Sequence, residues 1–244
     1  MRIYRMRSHQ SKQLNNLQIL SRLALITLFF LLVSMAKVRA QESTGLFPFD
    51  GISVFGNFEV ILEAGDEEKA VIYSSRVPED DINLFVKKGT LKIQMKTTKQ
   101  FNNEQVKVVV TYKKLRRVRA SAGAQIFSNQ IIAADYLYLK AASGGRVEMD
   151  LQVEDLEANV KEGGVLELEG YAKTQRLGAS TGGQFDGYHL EGERVYARAG
   201  TGGTLIVTAT QSIDASANTG GRIEYRGNPK AKNTRNVFGE IRKI

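Results

Sequence analysis

The chain has 244 residues, 34 Lys and Arg against 26 Asp and Glu, two histidines and no cysteine. The length admits one domain or two small ones. The missing cysteine excludes disulfides, thiolate-built zinc and iron–sulfur sites, and a cysteine-borne lipid anchor, so the chain is not expected to be a lipoprotein.

Residues 1–40 carry Arg2, Arg5, Arg7, Lys12, Arg22, Lys37 and Arg39 and no acid. Within them residues 23–36, LALITLFFLLVSMA, form an apolar run that is short for a membrane span. Val38-Arg39-Ala40 then gives a small-residue exit before Gln41. A basic start, an apolar middle and a small-residue exit predict a signal peptide over residues 1–40. A retained N-terminal anchor is the alternative. Export places the mature chain in the periplasm, on the outer surface or outside the cell, with no membrane-integral part once the signal is removed. Removing these seven cations leaves 34 − 7 = 27 basic against 26 acidic residues, a net charge near +1. The basic excess belongs to the export segment. Nucleic-acid binding needs clustered surplus positive charge and is not expected.

Residues 41–48 read as a polar lead, and residues 49–244 as a single domain. From 49 to 114 the pattern is strand after strand. Ile52, Val54, Phe58, Val60 and Leu62 alternate with other residues, the period of a half-buried strand. Gly65-Asp66 marks a turn, and residues 70–73 form a second apolar run. Pro78-Glu79-Asp80-Asp81 ends it. Ile82, Leu84 and Val86 alternate, Lys88-Gly89 turns, and Leu91, Ile93 and Met95 alternate again, followed by Val106, Val108 and Val110. No stretch after residue 40 has convincing helical periodicity.

Residues 115–226 repeat. An apolar-x-Ala unit recurs with its alanine at Ala120, Ala141, Ala158, Ala179, Ala197 and Ala215. After each comes a pair: Gly123-Ala124, Gly144-Gly145, Gly163-Gly164, Gly182-Gly183, Gly202-Gly203 and Gly220-Gly221. Then comes an apolar residue: Ile126, Val147, Leu166, Phe185, Leu205 and Ile223. The separation from alanine to that residue is always even, so every unit keeps one face inward. Repeats of this length predict a right-handed parallel β-helix-like solenoid of about six short coils, preceded by the strand-rich N-terminal part and closed by a C-terminal cap over 227–244. The coils would rise by about 4.8 Å each. The alanines would sit where opposing walls come close. The glycine pairs would turn corners that need positive φ or close approach between coils. A two-sheet sandwich is the alternative, but it does not require alanine at one register in successive units.

These residues resemble the auto-transporter adhesin head GIN domain family, a domain-of-unknown-function family common in Bacteroidetes. FDGISVFGNFEVILEAGDE and INLFVKKGTLKI are similar to its opening motifs. VRASAGAQI, LKAASGGRV and LGASTGGQF are similar to its internal repeats, and IEYRGNP to its closing one. The resemblance covers residues 49 to the C-terminus. It implies an exported, mostly β-helical domain and little biochemistry. No run of membrane-barrel strands is read after the repeats, so secretion through a barrel of its own is not expected.

Candidates for chemistry are sparse. Ala199-Gly200-Thr201-Gly202-Gly203-Thr204 has the glycines of a nucleotide loop but precedes a strand pattern rather than a helix. Ser121, Ser143, Ser180 and Ser216 recur near the pairs, yet His189 is the one histidine outside residues 1–40, so turn chemistry explains them better than a triad. Glu148, Asp150, Glu167 and Glu169 point outward and could neighbour one another on adjacent coils, either as a weak calcium site or as a solvated face. Lys113, Lys114, Arg116, Arg117 and Arg119 form the sharpest charge cluster, a candidate surface for acidic glycan or phosphate, or a solvated strand face. Tyr136, Tyr138 and Tyr196 are outward aromatics that could stack on sugar. No catalytic residue, metal ligand or cofactor is expected. The sequence reads as an exported, non-enzymatic binding or adhesion module of the bacterial envelope. Its partner would be an envelope glycan or a surface protein, and self-association remains open. A polysaccharide lyase or hydrolase on a β-helix, and a purely structural envelope protein, are the alternatives.

Overall fold

The computed structural model describes residues 44–96 and 104–244. The predicted signal at 1–40 and the start of the polar lead lie outside them. In chain order the strands are β1 (Thr44–Gly45), β2 (Gly51–Phe55), β3 (Phe58–Ala64), β4 (Lys69–Tyr73), β5 (Ile82–Lys87), β6 (Thr90–Met95), β7 (Val106–Tyr112), β8 (Arg117–Ser121), β9 (Gln125–Ser128), β10 (Ile132–Ala142), β11 (Arg146–Lys161), β12 (Val165–Ser180), β13 (Gln184–Ala199), β14 (Thr204–Asn218), β15 (Arg222–Arg226), β16 (Ala231–Val237) and β17 (Glu240–Lys243). A 3-10 turn at Glu79–Asp81 is the one helical element among the described residues.

The strands wind into an all-β solenoid of about seven turns. Its first wall stacks β6, β2, β8, the last third of β10 through β14, and β16, all in parallel. Its second wall stacks β7, β3, β9, the first part of β11 through β14, β15 and β17. In β11 the buried residues are Val147, Met149, Leu151 and Val153, then Leu156, Ala158 and Val160. The one-residue change of parity between Val153 and Leu156 is the corner where the strand passes to the other wall while its apolar side chains stay inside.

The stacking order is not the chain order. The β2–β3 coil lies between the β6–β7 coil and the β8–β9 coil. The chain therefore starts inside the stack, adds a coil on the outer side, then crosses back through residues 113–116. Beyond that outer coil, β5 pairs antiparallel with β6, β4 with β7, and β1 with β4. The strand-rich N-terminal part is thus the first coils of the solenoid together with their cover. Lys88-Gly89, with φ of 50° and 67°, is the tight turn of the β5–β6 hairpin.

The alanine file needs a correction of register. Along the first wall one inward file runs Ile93, Val54, Ala120, Ala141, Val160, Ala179, Ala199 and Ala217. The file beside it runs Leu91, Ile52, Val118, Leu139, Ala158, Leu177, Ala197 and Ala215. Ala158, Ala197 and Ala215 belong to the second file. With Val160, Ala199 and Ala217 in their place, the distance to the next inward residue is six in every coil: 120 to 126, 141 to 147, 160 to 166, 179 to 185, 199 to 205 and 217 to 223. Small side chains are therefore not forced at one fixed site. Each coil has two adjacent inward sites, and Leu139 with Ala141, or Ala158 with Val160, divide the volume differently.

From β8 to β15 the corner after the first wall is built the same way each time. In the β11–β12 corner Glu162 and Gly163 have φ of 55° and 68°, and the Gly164 N–H donates to the Lys161 carbonyl at 3.0 Å. Two consecutive positive φ values define a type I′ turn, and glycine carries the second at least cost. Gly164 has another reason to be glycine: a Cβ there would lie 2.6 Å from the Ala141 carbonyl of the preceding coil. The turns also bond to each other, with the Gly163 N–H donating to Thr181 O at 3.2 Å.

Candidate binding face

Four of the five clustered cations stay together: Lys113, Lys114 and Arg117 line one hollow, and Lys113, Lys114 and Arg116 line another. Leu115 is buried and pins the crossing segment. The Arg116 N–H donates to Asp50 O at 2.8 Å, and the Arg116 carbonyl accepts from the Tyr138 N–H at 2.8 Å. Lys113 pairs with Glu68 at 3.6 Å and Arg117 with Asp50 at 2.5 Å, so two of the charges are neutralised locally. Lys114 and Arg116 are left beside two hollows. One, of about 530 Å³, is bounded by Phe49, Asp50, Glu68, Lys88 and Lys113. The other, of about 500 Å³, is bounded by Tyr112, Leu115, Ile131, Asp135 and Tyr136. Arg119 is elsewhere: it projects from the first wall, 5.3 Å over the ring of Tyr138.

The parallel register turns the outer side of the first wall into files of side chains. One file runs Lys92, Ser53, Arg119, Lys140, Asn159, Gly178, Arg198, Ser216 and Arg235. The next runs Arg117, Tyr138, Glu157, Arg176, Tyr196, Asp214 and Asn233. Sequence reading singled out Tyr138, Tyr196, Arg117 and Arg119, but not Lys92, Lys140, Asn159, Arg176 or Arg198. The signal for Lys92, Lys140, Asn159 and Arg198 was the residue between the two inward sites of each repeat, and for Arg176 the residue just before the first of them, visible only once the repeat is aligned in its true register.

Gly178 interrupts the first file and opens a depression. About 610 Å³ of space there is bounded by Glu157, Asn159, Arg176, Gly178, Tyr196 and Arg198. A neighbouring hollow of about 300 Å³ continues toward Lys161, Ser180, Gly200 and Asn218. The side chains around it are held in place. Arg176 pairs with Asp155 at 3.1 Å and lies 6.0 Å over the Tyr196 ring. Arg198 donates to the Asp214 carboxylate at 2.7 Å and to the carbonyls of Ala197 and Asp214, both at 3.1 Å. Asn233 donates to the other Asp214 oxygen at 3.0 Å. Burial pushes the Asp214 pKa up, but the Arg198 and Asn233 hydrogen bonds and the Arg198 and Arg235 charges outweigh it and hold it below the usual carboxylate value. Tyr136 donates to Glu157 at 3.1 Å.

The other candidates resolve into structure. Residues 199–204 form a type I′ turn between β13 and β14, with φ of 48° at Thr201 and 72° at Gly202. Ser121 Oγ donates to Val54 O at 3.3 Å and Ser143 Oγ to Glu162 at 2.7 Å, while His189 packs edge-on against Tyr188. Glu148 does face Glu167, and Asp150 faces Glu169. Arg146 bridges Glu148 and Glu167. Among the described residues no group of three or more His, Asp and Glu is placed to hold a metal ion, and no helix is long and apolar enough to cross a membrane.

The parallel solenoid thus presents one continuous outer wall of polar, charged and aromatic side chains. The chain matches the family described as "Putative auto-transporter adhesin, head GIN domain" over residues 48–229 and belongs to it. Solved structures share the fold. A "putative adhesin" from Bacteroides fragilis NCTC 9343 aligns with a TM-score of 0.76 at 23% identity, covering 83% of this chain and 95% of that one. A "putative adhesin" from Parabacteroides merdae ATCC 43184 gives 0.64 at 15% identity, again covering 83% and 95%. A "Putative lipid binding protein" from Parabacteroides distasonis ATCC 8503 gives 0.61 at 19% identity with the same coverage. No curated protein sequence matches the chain.

Proposed function

We propose that the chain is an exported, non-enzymatic binding or adhesion module of the bacterial envelope, and that the outer side of its first wall is the contact surface. The observation that carries this reading is the depression at Gly178. It sets one tyrosine ring beside guanidinium and carboxamide groups whose own hydrogen bonds fix their orientation. Aromatic stacking with flanking planar hydrogen-bond groups suits the apolar face and hydroxyl rim of a sugar. The rigid wall repeats such groups from coil to coil, so affinity would come from several weak contacts made together. Export rests on the basic, apolar and small-residue segments of residues 1–40, and the adhesin descriptions of the family and of its structural neighbours agree with a surface role. The acids of the wall are tied to arginine and tyrosine partners, an arrangement that suits structure and recognition rather than proton transfer.

A glycan array and a pull-down from envelope extract test this. The chain should retain a glycan, Tyr196→Ala should weaken retention at least about tenfold, and no new reducing ends should appear. Retention unchanged by Tyr196→Ala would move the contact off this wall, and turnover of the glycan would make the protein an enzyme.

A further inference from the structure

Most outward arginines of the repeats have an acid beside them. Arg146 lies on Glu148 and Glu167, Arg176 on Asp155, Arg198 on Asp214, Arg222 on Glu240 and Arg242 on Glu224. The N-terminal third of the first wall departs from that rule. Lys92, Arg119 and Lys140 follow one another in a single file, with only Ser53 between the first two. Lys87 projects from the adjoining β5. Among the described residues none of these four has an acid within ion-pair distance. Glu162, which Lys140 influences from a distance, is already held by Lys161 at 2.7 Å and by the Ser143 hydroxyl at 2.7 Å. Arg119 and Lys140 sit on adjacent rungs, about 4.8 Å apart, and like charges so placed repel. The Lys92 pKa is lowered, by burial first and then by Arg119 and Lys87.

The geometry points to a site for a linear acidic polysaccharide, laid along the solenoid axis over Lys92, Arg119 and Lys140. This deepens the proposed function and rests on it. The cations form a straight file rather than a pocket, which suits a polymer better than a single anion. A 1,4-linked uronic acid chain advances by about one pyranose width per residue, close to the rung spacing of about 4.8 Å. The cations stand on the first, third and fourth rungs, about 10 and 5 Å apart, within reach of the carboxylates that such a chain turns toward the wall. Tyr138, held under Arg119, offers a ring in the next file. The competing occupant is an anionic lipid surface, because Phe55 and Phe85 flank Lys92 on the wall. They are 45% and 42% exposed but stand at the Lys92 end alone, and the file itself, from Lys92 through Ser53 and Arg119 to Lys140, carries no apolar side chain to enter a bilayer.

The test uses the full chain with polygalacturonate, with neutral dextran, and with phosphatidylcholine vesicles carrying phosphatidylglycerol. Polygalacturonate should bind and dextran should not, and binding should weaken as salt rises. Arg119→Gln/Lys140→Gln should lose at least about tenfold in affinity, while Lys230→Gln/Lys232→Gln on the last coil should stay within about twofold. Circular dichroism confirms that both variants fold, and Lys92→Gln provides a second lesion in the same file. Undiminished binding by the Arg119/Lys140 variant, equal binding of dextran, or binding to the vesicles without polygalacturonate would each overturn the inference. Glycan retention that depends on Tyr196 but is indifferent to polygalacturonate would overturn it while leaving the broader reading intact. Loss of all glycan and extract binding would remove both.

Discussion

The two ends of the solenoid solve the same problem differently. Any stack of parallel coils leaves unpaired N–H and C=O groups on its terminal strands, and such edges invite pairing with other chains. At the N-terminal end the chain covers its edge with antiparallel strands β5, β4 and β1. The first coil is then locked between two others, with β2 meeting β8 some 66 residues along the chain at the Gly51–Arg117 register. At the C-terminal end the last rung, β16 and β17, is open on its outer side among the described residues, every residue of β16 is exposed, and Phe238 is 91% exposed. Lys230, Lys232 and Arg235 line that rung, and charge is a common means of blunting an edge. One end is thus secured by long-range packing and the other by charge. The first should resist opening and the second should not.

The largest expected effect tests that difference directly. Phe58 is fully buried in the locked coil, whereas Ile241 on the last rung is only partly covered. Phe58→Ala should cost about 3–5 kcal/mol. Ile241→Ala should cost about 1 kcal/mol or less, because little apolar area leaves water there. Urea melts of the two variants decide it. Equal losses would mean that the last rung is as integral as the first coil.

The corners sharpen the comparison next. In the regular coils the fourth turn residue is glycine because the carbonyl of the preceding coil occupies the Cβ position, as at Gly164 against Ala141. The same site in the β8–β9 corner is Ala124, fully buried. The coil before it is the inserted β2–β3 coil, whose corner is Gly56-Asn57 with Gly56 at φ 102° rather than a type I′ turn. Gly164→Ala should therefore cost about 3 kcal/mol or more, as a backbone overlap that packing cannot relieve. Gly163→Ala meets open space and bears only the left-handed backbone cost, about 1–2 kcal/mol. Thermal melts giving the reverse order would show that conformation rather than contact selects these glycines.

Much of this was legible in the sequence because its cause is local. Alternation gave the strands, the glycine pairs gave the corners, and the even separations kept one face inward. The order of stacking was not legible. Nothing in FDGISVF announces that β2 pairs with β6 and β8, because that choice depends on a crossing segment whose only local mark is the buried Leu115. The alanine register slipped by two at Ala158, Ala197 and Ala215 because two adjacent inward sites have the same parity, and either accepts alanine. That slip hid the outward file. The cluster at residues 113–119 drew attention as a run in sequence, whereas Lys92, Arg119 and Lys140 are neighbours only through the parallel ladder.

The regular half contains one flaw, and removing it should help. Gln175 is fully buried in a file between Leu156 and Val195. Its amide nitrogen makes only long bonds, 3.4 Å to Ala172 O and 3.3 Å to Leu190 O, and its Oε1 has no partner. A buried polar atom without a bond is costly, while a leucine of similar volume would match its neighbours. Gln175→Leu should raise stability by about 1–2 kcal/mol in urea titrations. A loss of stability would mean that the carboxamide is needed at this site.

The smallest effects separate the two halves of the first wall by pH. Asp214, in the paired half, has a folded-state pKa below its ordinary value. The unfolded chain then binds the proton more readily, so the contribution of Asp214 is present above the unfolded value and is lost as pH falls through the folded one. Lys92, in the unpaired half, also has a lowered pKa, but it is a base whose charged form the fold disfavours. Its penalty is present while it is charged and fades as pH rises through its folded value toward the ordinary lysine value. Both groups make stability rise with pH, in an acid window for Asp214 and an alkaline one for Lys92. Asp214→Asn should lose a few tenths of a kcal/mol at neutral pH and nothing in strong acid, and Lys92→Gln should gain a similar amount at neutral pH and nothing in strong alkali. Guanidinium would screen these charges, so urea melts across pH are the measurement. A Lys92→Gln variant less stable than the parent at neutral pH would show that the file of cations is compensated within the fold, and the contrast between the two halves would disappear.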